Sequence, residues 1–126
     1  MKRSWIGFGL LIVILALSLL ATGMMTRIHE DVALKLEQSS ECALLGDWDD
    51  AKLFLTRARR NWDQWEHLRS CLMDHTPAEE MDAEFAALEV YRQSKNPVAY
   101  RAACAILTSR MKALAEAQKL TLWNIF

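Results

Sequence analysis

The strongest pattern in the chain is an uncharged run from Trp5 to Met25 (WIGFGLLIVILALSLLATGMM), 21 residues long. At a rise of about 1.5 Å per residue, a helix of this length matches the ~30 Å hydrocarbon core of a bilayer. Behind it the pattern changes to apolar positions three and four apart, the spacing of one helix face. Ile28, Val32, Leu36 and Ala43 mark such a face over 26–45. With no Pro or Gly between Met24 and Leu45, this helix reads as a continuation of the apolar run into solvent. Gly46 ends it as the left-handed residue after a helix, and Asp47 caps the next. In that second helix Trp48, Ala51, Leu55, Ala58, Trp62, Trp65, Arg69 and Leu72 form a heptad-like stripe, widened by Phe54 and Leu68. It runs to Met73 or bends near Asn61. Thr76, Pro77 and Glu79 read as a third helix start, with a hydroxyl cap and Pro at the first helical position. Met81, Phe85, Leu88 and Tyr91 are its inward positions. Asn96-Pro97 repeats the device, opening a fourth helix to about Leu120 with Tyr100, Ala103, Leu107, Met111 and Leu114 inward and Ile106 beside them.

Short connections make successive helices antiparallel neighbours. The expectation is an all-α chain: one N-terminal transmembrane helix followed by a four-helix antiparallel bundle built from two helical hairpins. Residues 1–25 are the transmembrane signal-anchor, and residues 26–126 an extracytoplasmic domain. If the first helix leaves the membrane, the second and fourth return towards it. The loop at His75 and the tail Trp123, Asn124, Ile125 and Phe126 then lie near the bilayer. There the tail either enters the interface, where Trp is favoured, or fills a groove of its own bundle. The segment 43–51 (ALLGDWDDA) has the character of a tetratricopeptide turn, but no second copy follows at the required period.

Composition fits this picture. The chain has 126 residues, with 4 Gly and 2 Pro, and Gly46 is the only Gly outside the apolar run. After Met25 there are 13 Lys and Arg against 16 Asp and Glu. That balance is too mixed for a nucleic-acid partner. Lys2 and Arg3 precede the run and favour a cytoplasmic N-terminus, although Arg27 and Lys35 weaken the bias. Ala21-Thr22-Gly23 offers the small residues of a signal-peptide cleavage site, whereas the length of the run favours an uncleaved anchor. Either way the domain is expected outside the cytoplasm.

Candidate chemistry is sparse. His67, His75 and Glu79, with Asp74, Glu80 and Asp82, are the densest group of metal-capable side chains, but no HExxH or CxxC spacing supports a site. His29-Glu30-Asp31 is weaker, because helix neighbours point different ways. No nucleophile elbow or phosphate loop occurs, so the chain reads as non-enzymatic and without a cofactor. Trp48, Trp62 and Trp65 read as a core stripe before an aromatic cage. Three cysteines cannot all pair within one chain. Cys42 and Cys104 fall near the same end of the bundle, where they form a disulfide or stay as small buried residues, while Cys71 lies at the other end.

The cationic start and single apolar helix are followed by Trp62, Trp65, His75, Glu80 and Asp82, then Leu88 and Tyr91. With the ending Asn124-Ile125-Phe126, this series resembles the small bacterial family catalogued as domain of unknown function 4363. The resemblance implies a membrane-anchored protein and supplies no activity, cofactor or catalytic residue. It also implies association with a membrane protein of the YetF-like type. The leading expectation is an accessory protein, held in the bilayer through residues 5–25, that presents a helical domain to a membrane partner. The alternative is an extracytoplasmic metal- or ligand-sensing module using the His67/His75 region, secreted if the signal is cleaved.

Overall fold

The computed structural model describes residues 2–65 and 75–125, and for 75–78, 118 and 121–125 the backbone alone. Among the described residues there are four helices and no strand: α1 Lys2–Leu44, α2 Trp48–Gln64, α3 His75–Gln93 and α4 Pro97–Ile125. The expected anchor and first bundle helix are one element of 43 residues, about 65 Å long at the usual rise. Its two halves meet different surroundings. From Trp5 to Leu17 the large apolar side chains are exposed, Trp5 at 77%. From Met25 onward a stripe at Met25, His29, Val32, Leu36, Ser39 and Ala43 is buried, spaced as one helix face requires.

Both described turns are built alike. After α1, Gly46 takes φ +77°. Its N–H donates to the Ala43 carbonyl and that of Asp47 to the Cys42 carbonyl, the paired bonds of a Schellman stop. The Asp47 carboxylate then accepts from the Asp50 N–H at 3.2 Å and caps α2. After α3, Lys95 takes φ 52°, with Lys95 N–H donating to Arg92 and Asn96 N–H to Tyr91. The Asn96 side chain accepts from the Ala99 N–H and caps α4. The second hairpin thus uses the first hairpin's stop with Lys where Gly would be expected.

Helix α1 is the spine. It packs along α4 on one side and α2 on the other, α3 packs on α4, and α2 and α3 barely approach each other. Side-chain pairs set the levels. Ser39 of α1 meets Ala51 of α2, while His29 and Asp31 meet Trp62 and Asn61. Helix α2 therefore descends until Gln64 stands about half a turn above Met25. On the other flank Lys112 pairs with Glu37 and Lys119 with Glu30, which brings the last turn of α4 level with the end of the apolar run. Trp62, Tyr100, Leu36, Leu88, Leu107 and Met111 are among the fully buried side chains. Each large one contributes roughly 1.5–3 kcal/mol through burial.

Several expected boundaries move. Helix α2 closes at Gln64 with Trp65 as its C-cap; Leu68, Arg69 and Leu72 lie outside the described residues. Helix α3 begins at His75 rather than at Pro77, so Thr76 already lies inside it. Helix α4 continues past Leu120 to Ile125, making the expected tail part of the helix. Ile106, read as lying beside the inward positions, is 52% exposed. The core face of α4 runs through Tyr100, Cys104, Leu107, Met111 and Ala115, and Ile106 falls outside that stripe.

Candidate functional site

The loose approach of α2 and α3 leaves a groove of about 700 Å³ between them. Leu55 of α2 and Phe85 and Ala86 of α3 supply its apolar surface; Thr56, Arg59, Arg60, Asp63, Gln64 and Glu89 complete it. Arg59 bridges the two walls. Its Nε donates to Asp63 at 3.1 Å, its guanidinium reaches the Asp82 carbonyl at 3.4 Å, and its Cζ lies 5.3 Å from the Phe85 ring centroid. Such a cation–π contact contributes ~0.5–1 kcal/mol where exposed. Glu89 takes two hydrogen bonds from Arg92, each 2.9 Å, and that partner holds its carboxyl below the usual range. Arg60 is exposed and lines the same groove.

A second cluster lies in the core near the turns. The Ser39 hydroxyl donates to the Ala51 carbonyl at 2.6 Å and shares a hydrogen bond with the Tyr100 hydroxyl, tying α1, α2 and α4 together. Trp48 meets the Tyr100 ring edge-on at 5.5 Å. Burial drives the Tyr100 pKa upward and pushes that of Cys104 up to about 12. A thiol so held is protonated at neutral pH and inert as a nucleophile. The cluster is a structural lock. The sequence pattern missed it because Ser39 reads as a polar interruption of the α1 stripe.

Cys42 and Cys104 are free thiols. Cys104 turns into the core at Tyr100, whereas Cys42 is half-buried against it near the end of α1. Negative charge from Asp50, Asp47 and Glu41 adds to desolvation in raising the Cys42 pKa.

The metal-capable candidates scatter. His67 and Asp74 lie outside the described residues, as does Phe126, and His75 is described by its backbone alone, as are Trp123, Asn124 and Ile125. Glu79 is exposed. Glu80 faces Arg110 at 3.4 Å, and Asp82 accepts from the Trp62 indole at 2.8 Å. Among the described residues no three His, Cys, Asp or Glu side chains converge on one point. His29, Glu30 and Asp31 diverge, toward the Trp62 ring, Lys119 and Lys35 respectively. Trp62 is core, as its stripe implied, and Trp48 and Trp65 are half-buried.

Among the described residues one helix, α1, is long and apolar enough to cross a membrane. A family model described as Domain of unknown function (DUF4363) matches residues 21–125. No curated protein and no solved structure matches the chain.

Proposed function

This chain belongs to the family of domain of unknown function 4363, and from that premise we propose that it is a membrane-anchored, non-enzymatic interaction protein. The bilayer holds it through residues 5–25. The bundle stands outside the cytoplasm and meets an integral membrane partner, of the YetF-like type that the family resemblance suggests.

The observation that carries this reading is the continuity of α1. An exposed apolar half passes, within one helix, into the buried spine of the bundle. A helix has no soft joint unless Pro, a bulge or an inserted group interrupts it. The domain is therefore held at a fixed height and angle above the membrane, as a subunit docking laterally on another membrane protein requires. Continuity also favours anchor over signal. Ala21, Thr22 and Gly23 are helical and half-buried, whereas a protease needs its substrate extended and accessible.

Chemical crosslinking in intact membranes, followed by affinity capture in mild detergent, tests the role. The expected result is recovery of one stoichiometric integral membrane protein. Recovery of the isolated chain alone, with α1 intact, counts against the proposal.

A further inference from the structure

We propose that the α2–α3 groove binds one anionic lipid from the bilayer, with its headgroup at Arg60 and one acyl chain turned upward along Leu55, Phe85 and Ala86. This rests on the anchored reading of α1.

The first argument is position. From the Ser39–Ala51 and His29–Trp62 levels, Arg60 stands opposite Asp31, about 9 Å along the axis from Met25, and Gln64 about 3 Å from it. A headgroup layer extends roughly 5–8 Å beyond each face of the hydrocarbon core. The lower end of the groove therefore stands at the level of that layer, within reach of the Arg60 side chain. The groove extends from there to Leu55, about 14 Å.

The second argument is charge. Arg59 is paired with Asp63 and Glu89 with Arg92. Arg60 forms no ion pair among the described residues and is the cation of the groove lining left without one there. Arg binds phosphate through paired N–H donors, so a headgroup with one negative charge fits.

The third argument is size. A docked amphipathic helix seats anchors at i, i+3, i+4 and i+7. Three apolar side chains on two diverging helices offer too few pockets for that series. A single acyl chain needs only a narrow continuous apolar surface.

The test uses the full chain in phosphatidylcholine nanodiscs doped with phosphatidylglycerol carrying a diazirine on its acyl chain. After irradiation, adducts are mapped by peptide mass spectrometry. Label is expected within 5–25 and also within 55–64 and 85–89. Arg60→Gln should lower groove labelling about tenfold, the loss of one charge-assisted hydrogen bond. Ala86→Trp, which fills the groove from an exposed position, should abolish groove labelling and leave 5–25 unchanged. Diazirine-bearing phosphatidylcholine should label the groove about tenfold less than the anionic lipid. Label in 5–25 without label in the groove overturns the proposal and leaves the groove to a protein segment. Equal groove labelling by the two lipids overturns it as well. Absence of label from both regions removes the anchored reading together with it.

Discussion

Two residues with positive φ test how the hairpins are made. Gly46 has open space where a Cβ would sit, so Gly46→Ala meets no clash and costs only the left-handed backbone, about 1 kcal/mol. Lys95 already carries that cost, so Lys95→Gly should stabilise the chain by about 0.5–1 kcal/mol. Chemical denaturation of the two variants should give opposite signs. In the core, Tyr100→Phe removes one bond of the lock and should cost about 1 kcal/mol, and Ser39→Ala about 1–3 kcal/mol, since it strands the Tyr100 hydroxyl from α1. The same lock sets an alkaline limit. The fold raises the Cys104 thiol from 9.0 to about 12 and keeps the Tyr100 hydroxyl protonated. The folded chain therefore holds these protons more tightly than the unfolded one. Their contribution is complete below pH 9.0 and declines as pH rises towards about 12. Denaturation midpoints should fall above that lower bound, and Cys104→Ala should flatten the fall. A midpoint independent of pH would contradict this account. Free thiols give a simpler check. In a Cys71→Ser background, native protein should take maleimide at half-exposed Cys42, and at buried Cys104 only after unfolding.

At the scale of elements, helical periodicity carried most of the inward positions. Val32 and Leu36 on α1, Ala51 to Trp62 on α2, Met81, Phe85 and Leu88 on α3, and Tyr100, Leu107 and Met111 on α4 are buried as their spacing implies. Ile106 is the exception, because hydrophobicity alone does not tell a stripe from the residue beside it. Leu36→Ala should therefore cost about 2–5 kcal/mol, and Ile106→Ala within about 0.5 kcal/mol of nothing. Thermal unfolding in detergent compares them; similar losses would mean that α4 faces another way. Gly46 and Asp47 announced the first turn through their residue types. The second was legible only in part: Asn96 and Pro97 mark the cap, but no side-chain preference marks Lys95 as left-handed. The groove was not legible, because it depends on how far apart two helices stand, and each stripe reads the same whether its neighbour is close or distant. Nor was the disulfide question. Placing two cysteines at one end of a bundle says nothing about the direction of their Cβ vectors, which decides pairing.

For the whole molecule, the apolar run and the bundle are one mechanical piece. Met25 and Thr26, two and three residues after Gly23, are already buried in the domain. The sequence left anchor and cleaved signal open because length and small residues argue in opposite directions. The central claim is that the anchor stays. Intact mass spectrometry of the protein extracted from membranes tests it most directly. The account predicts a mass that still includes the segment up to Gly23, in the membrane fraction. A mass lacking the segment up to Gly23, recovered outside the membrane, would contradict it.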